Sequence, residues 1–178
     1  GIVQGGVHED LRRESAAFIS GLPFDGVAIG GVSVGEPTEM QRPVVQMTAP
    51  QLPSDKPRYL MGVGHPSDIL HAVACGVDLF DCVLPTRMAR HHCLYTMNGR
   101  VNISGAKFAE DDSPFSDFDG LSRYSKAYIR HLFKASEPLG ARLATLHNLA
   151  FYARLMEEIR EAIERGSWAE LSDEFLRG

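Results

Sequence analysis

Four short apolar runs, at Ile2–Gln4, Gly26–Gly30, Tyr59–Val63 and Leu79–Leu84, alternate with stretches of helical character. A chain built this way has few folds open to it. Runs so short and unbroken suit strands buried on both faces of a parallel sheet. The first helical stretch starts near His8, where Glu9 and Asp10 favour the positive helix end, and its Leu11, Phe18 and Ile19 can face inward. The second follows Glu36-Pro37, Pro37 suiting a first helical turn. The third runs from Pro66-Ser67-Asp68 through Ile69, Leu70, Val73 and Ala74 and stops at Gly76. Four β-α units in succession predict a parallel sheet with right-handed crossovers.

An open doubly wound sheet and part of an eight-stranded barrel both satisfy that pattern. Polar or glycine groups stand at or near the end of almost every run: Gln4-Gly5-Gly6, Gly30-Gly31, Gly62-Val63-Gly64 and Asp81. Spread over four successive strand ends, they suit the loop ring at the catalytic face of a barrel. An open sheet would gather them at one switch point. The expected fold is therefore α/β, half of a TIM (β/α)8 barrel, with residues 1–87 as four βα units. The chain opens abruptly inside its first strand, which predicts further strands upstream.

Residues 88–178 read as a helical carboxyl-terminal subdomain behind a loop-rich stretch. A hairpin-like piece spans Leu94–Ile103 with a turn signal at Asn98-Gly99. Tyr124–Ala135 is amphipathic through Tyr128, Ile129, Leu132 and Phe133. Leu143–Gly166 carries Leu146, Leu149, Ala150, Leu155, Ile159 and Ile163 at helical spacing. Ser167 suits the N-cap of a short acidic tail that Trp168 and Leu171 would dock.

Composition narrows the function classes. At 178 residues, 44% hydrophobic and 23% charged, the chain can bury a globular core. No run approaches the roughly eighteen apolar residues of a membrane span, and the opening residues carry no basic signal-peptide region. Cys75, Cys82 and Cys93 make neither an even disulfide set nor a metal-spaced pair, so a reducing cytoplasm is the expected setting. With a formal charge of −5, a nucleic-acid partner must meet a local basic patch.

Five motifs in order now resemble one family. Gly76-Val77-Asp78-Leu79-Phe80-Asp81-Cys82-Val83-Leu84-Pro85-Thr86-Arg87 is similar to the catalytic strand of the queuine/preQ1 tRNA-guanine transglycosylases. Gly1–Gly6 with His8–Arg12, Gly30–Glu36, Arg58–Gly64 and Leu146–Tyr152 complete the resemblance. It extends over nearly all of this chain but only the carboxyl-terminal half of such an enzyme. By contrast, Gly62-Val63-Gly64 as a bare anion loop is one short motif against five.

The family exchanges an anticodon guanine of tRNA for a 7-deazaguanine by ping-pong covalent catalysis. The resemblance implies that Asp81 is the nucleophile at the ribose anomeric carbon. An aspartate at a strand's carboxyl end can stabilise oxocarbenium-like charge and form a glycosyl ester; it can equally cap the next turn. Gln4, Gly30 and Gly31 match positions that hydrogen-bond the base, glycine leaving room for a flat purine beside the main chain. Tyr59 and Met61 match residues that sandwich the base or line its pocket, and both also suit ordinary core. Glu36 resembles the acid steadying a peptide near the site, or a first-turn helix charge.

For the tRNA anticodon loop, Thr86, Arg87 and Arg90 match the family's RNA contacts, and arginine pairs phosphate bidentately. Between Arg123 and Lys134 stand Arg123, Lys126, Arg130 and Lys134 with no acid, a local +4 suited either to tracking RNA or to a solvated helix face.

The sequence also departs from the family. Its three zinc cysteines fall here on Ser116, Phe118 and Leu121, and only the histidine survives, as His147. Such a set cannot build a tetrahedral thiolate site, so no zinc or other cofactor is expected. His92 stands where glycine is common, Met88 where a polar residue is usual, and Pro43 inside the second predicted helix or at its shifted start. The family's acid/base aspartate lies upstream, and neither Asp25 nor Asp78 matches it. The chain is therefore expected to work only beside an amino-terminal half. The competing expectation is a non-catalytic, fragment-like protein that self-associates to cover its sheet edges or binds tRNA.

Overall fold

A computed structural model of the chain describes residues 1–32 and 38–177. Contacts divide it into two compact units, Gly1–Val83 and Leu84–Gly178. The fold is α/β, with a four-stranded sheet, a two-stranded sheet and seven α-helices among the described residues.

In the first unit, β1 (Ile2–Val3), β2 (Val27–Ile29), β3 (Arg58–Leu60) and β4 (Leu79–Phe80) pair in parallel, in chain order. Between them run α1 (Glu9–Ser20), α2 (Thr38–Thr48) and α3 (Pro66–Ala74). The register aligns two rows: Ile2, Ala28, Tyr59 and Leu79, then Val3, Ile29, Leu60 and Phe80. Side chains alternate across a sheet, so the rows face opposite ways. Val3, Ile29 and Leu60 are buried in one cluster with Ala16 of α1, Val44 and Val45 of α2 and Ala72 of α3, so the helices cover that face. In the other row Ile2 and Leu79 stay 43% and 53% exposed.

Several boundaries differ from the sequence expectation. Each strand is shorter, and the run Leu79–Leu84 stops pairing after Phe80. Leu84 instead opens α4 (Leu84–Arg90), whose Pro85 is tolerated because first-turn N–H groups have no intrahelical partner. The inward face of α1 is Arg12 and Ala16, with Ile19 packed partly against the core, whereas Leu11 and Phe18 are 48% and 68% exposed. Pro43 lies within α2, which runs on through it from Thr38. Glu36 and Pro37 lie outside the described residues. The third helix follows the reading closely: Pro66 opens α3, Cys75 caps it, and Gly76 turns the chain at φ 90°.

The second unit packs α4, the antiparallel hairpin β5 (Cys93–Thr96) and β6 (Gly99–Asn102), α5 (Lys126–Lys134), α6 (Pro138–Arg165) and α7 (Trp168–Arg177). Ala89, Leu94, Ile103, Phe108, Ile129, Leu132 and Leu143 share its core. Thr96 pairs with Gly99, so the hairpin loop is Met97-Asn98, one residue before the expected turn. Ser125 caps α5 by accepting from Tyr128 N at 3.1 Å. The long helix starts five residues earlier than expected, at Pro138, because Gly140 is no breaker here. It is buried, and a Cβ on it would stand 3.0 Å from Leu132 Cβ. Leu146, Leu149 and Ile163, read as core, are each about half exposed. His92, standing where glycine is common in the family, takes φ 62°, and its ring packs on Phe133 at 4.2 Å. Among the described residues no helix is long and apolar enough to cross a membrane, and Cys75, Cys82 and Cys93 form no disulfide.

Candidate active site

Two residues beyond Ile2, Ala28, Tyr59 and Leu79 come Gln4, Gly30, Met61 and Asp81. The ladder continues to them: Gly30 N donates to Val3 O at 3.0 Å, and Met61 N to Ile29 O at 3.2 Å. By alternation they stand on the same helix-free face, at the carboxyl end of the sheet. Four residues chosen from the sequence thus form one row.

Asp81 is exposed and held by two donors. The Tyr59 hydroxyl donates to Oδ1 at 2.5 Å, and Gly62 N donates to the same atom at 2.8 Å. Hydrogen bonding to Tyr59, then to Gly62, holds the carboxyl below its usual range against a smaller opposing effect of burial. The same bond raises the Tyr59 hydroxyl. Among the described residues Oδ2 has no partner, so one oxygen is anchored and the other is open. Tyr59 itself belongs to the deeper row and touches the carboxylate through its hydroxyl. Gly62 N–H, a candidate anion donor in the sequence, is spent on Asp81. The side chain of Cys82 fills the space beside Gly64, where an added Cβ would lie 1.9 Å from its Sγ.

Gln4 lies across the two glycines. Its N–H donates to Ser15 Oγ of α1 at 3.1 Å, fixing where the residue leaves the strand. A Cβ on Gly30 would stand 2.7 Å from Gln4 Nε2, and one on Gly31 would stand 2.7 Å from Oε1. Gly31 also has φ 64°, so glycine is required there twice over. Asp78 serves the sheet rather than the row: its Oδ2 accepts from Arg58 N at 2.8 Å.

The basic residues proposed for RNA stand in the second unit. Thr86, Arg87 and Arg90 lie on α4, the two arginines exposed and in its last turn, where cations complement the helix dipole. Arg123 lies over the Tyr124 ring and donates to its hydroxyl at 2.9 Å. Lys126 donates to Ser113 Oγ at 2.9 Å and pairs with Asp111 at 3.5 Å. Arg130 donates to Gly105 O at 3.1 Å. Each of these three is already tied to the local fold.

Ser116, Phe118 and His147 also meet in the second unit. Nε2 of His147 lies 2.8 Å from Tyr95 O, which only accepts, so this nitrogen carries the proton. Nδ1 therefore accepts from Ser116 Oγ at 2.9 Å, and Ser116 Oγ accepts from Phe118 N at 3.2 Å. The Phe118 ring stands 5.4 Å from the imidazole, and Leu121 is buried. Burial lowers the His147 pKa, in keeping with a neutral ring. A hydroxyl, a phenyl ring and an isobutyl group offer zinc no thiolate, and the imidazole lone pair is occupied; these residues do not fit the metal. Among the described residues no group of three or more His, Cys, Asp or Glu is placed to hold one.

Two residues that received no role from the sequence are central here. Asn148, fully buried, accepts from Tyr95 N at 2.9 Å and donates to Pro85 O at 2.9 Å and Cys93 O at 3.0 Å. Arg12, also fully buried, reaches the Gly30-Gly31 turn. A polar residue on the inward face of a helix was the available signal for both.

A family model described as queuine tRNA-ribosyltransferase matches residues 1–178. A queuine tRNA-ribosyltransferase from Herpetosiphon aurantiacus is 54% identical over 99% of this chain and 46% of its own length. Those from Caldanaerobacter subterraneus and Thiobacillus denitrificans are 52% and 53% identical, each matched over 48% of its length. The chain spans about half the length of the curated relatives it matches.

Proposed function

This chain belongs to the queuine tRNA-ribosyltransferase family, and we propose that it supplies the carboxyl-terminal half of a tRNA-guanine transglycosylase, with Asp81 as nucleophile. The observation that carries this reading is the anchored Oδ1 and open Oδ2 of Asp81, in one row with Gln4, Gly30 and Met61. Oδ2 attacks C1′ of the anticodon guanosine; the C1′–N9 bond breaks and guanine leaves with the electron pair, protonated by a group outside this chain. A 7-deazaguanine, deprotonated at N9 by that group, then attacks C1′ and releases the carboxylate. The bond from Tyr59 keeps Asp81 ionised before the attack and holds Oδ1 in place while Oδ2 carries the ribose. Gln4, Gly30 and Gly31 bind the base edge, Met61 lies against its face, and Glu36 steadies the neighbouring peptide.

The acid/base group and the remaining barrel strands belong to an amino-terminal half, which covers the exposed Ile2 and Leu79 and closes the barrel. Thr86, Arg87 and Arg90 hold the anticodon loop, with Arg123, Lys126 and Arg130 as outer contacts. The reaction takes place in the cytoplasm and needs no zinc in this chain. Mixed with an amino-terminal half, tRNA and labelled guanine, the chain incorporates label, and Asp81→Ala abolishes incorporation. Label retained in that variant excludes Asp81 as nucleophile. The exposed row also supports a second reading, self-association of two copies without catalysis. A dimer of the isolated chain in light scattering, with no exchange in the mixed assay, favours it.

A further inference from the structure

Arg12 is an arginine buried at 0% exposure on the inward face of α1, a costly place for a charge unless its donors are satisfied. Its Nε donates to Gly6 O at 2.7 Å, and its Nη2 to Gly30 O at 2.8 Å and Gly31 O at 3.1 Å. One rigid guanidinium therefore joins the loop after β1 to the loop after β2. The next carbonyl, Val32 O, accepts from Gln41 Nε2 of α2 at 3.2 Å. Three successive carbonyls are thus drawn toward helix side chains.

A planar trans peptide points its N–H opposite to its C=O. With Gly30 O and Gly31 O held by Arg12, the N–H groups of Gly31 and Val32 point away from the guanidinium. Neither has a backbone acceptor among the described residues. Beside them lies the Gln4 amide, within 2.7 Å of where Cβ atoms on Gly30 and Gly31 would stand. The result is two fixed backbone donors next to one amide that both donates and accepts.

We propose that Arg12 is a positioning residue of the base pocket, setting the direction of the Gly31 and Val32 N–H donors through the carbonyls of Gly30 and Gly31. This rests on the reading of Gln4, Gly30 and Gly31 as the base-binding edge. Lysine keeps the charge but lacks the fork that spans three carbonyls. Arg12→Lys in the 178-residue chain therefore shifts the amide resonances of Gly31 and Val32. It also weakens guanine binding about tenfold, an amount typical of a charged hydrogen bond, while the resonances of Tyr59 to Gly62 hold.

Arg12→Met, of similar reach without charge, should abolish guanine binding; if it does not fold, the lysine variant alone carries the test. Unmoved Gly31 and Val32 amides, or unchanged guanine affinity in Arg12→Lys, overturn the proposal. Shifts spread across the whole unit, those of Tyr59 to Gly62 included, also overturn it, because they indicate a merely structural arginine. Should the unsubstituted chain fail to bind guanine while those two amides still move, the base-binding reading fails and the orienting role of Arg12 stands.

Discussion

The Tyr59 hydroxyl donates to Asp81 Oδ1 at 2.5 Å across adjacent parallel strands, and Gly62 N–H reaches the same oxygen at 2.8 Å. This holds the carboxyl below its ordinary range, so the sign of its pH dependence follows. The bonds favour the fold at pH above the ordinary carboxylate value and are lost as pH falls through the lowered one. Tyr59→Phe should raise the Asp81 midpoint toward an ordinary aspartate, read by carboxyl-carbon NMR titration. The same variant should slow exchange about tenfold, roughly 1.4 kcal/mol of barrier. An unmoved midpoint means that the bond is absent in solution.

Asn148 satisfies three buried backbone groups at once, the Tyr95 N–H and the carbonyls of Pro85 and Cys93. Asn148→Ala leaves all three without their partner. A loss of about 3 kcal/mol or more in urea denaturation is expected, at about 1 kcal/mol or more per abandoned group.

Helix α1 gives a paired prediction. Phe18 is 68% exposed and Ala16 only 1%. Phe18→Gln should change the stability of the chain by no more than about 0.5 kcal/mol, whereas Ala16→Leu should cost about 1–3 kcal/mol by overpacking. Thermal and urea melts of the two variants decide this.

The same helix shows what the sequence made legible. Order and type of the four strands and of α3 followed from runs, prolines and glycines, which are local signals. The residues of the row Gln4, Gly30, Met61 and Asp81 were legible through the family resemblance, and each proves to be the first residue after its strand. The face of α1 was not: its buried arginine is compensated by carbonyls from two other loops, which periodicity does not record. Helix α4 was missed because Leu84 continues an apolar run, and proline tolerance depends on where the helix starts. The bond from Tyr59 to Asp81 depends on the pairing of β3 with β4, which sets Asp81 two residues beyond Leu79, the partner of Tyr59, within reach of its hydroxyl.

Ser116, Phe118 and His147 give a metal prediction. Their hydrogen bonds run from Phe118 N through Ser116 Oγ and His147 to Tyr95 O. Protein purified without chelator should hold no stoichiometric zinc by elemental analysis, and EDTA should leave its melting temperature unchanged. Restoring thiolates with Ser116→Cys, Phe118→Cys and Leu121→Cys should create zinc uptake. One tightly held zinc per unsubstituted chain would contradict this account of the site.

Trapping a covalent bond between Asp81 and RNA decides whether Asp81 is the nucleophile. The chain, an amino-terminal half and tRNA are mixed without an incoming 7-deazaguanine, quenched in denaturant, and digested for mass spectrometry. A ribose-linked adduct is expected on the peptide containing Asp81 and is absent in Asp81→Asn. An adduct on another residue, or exchange that proceeds undiminished in Asp81→Asn, would contradict that role.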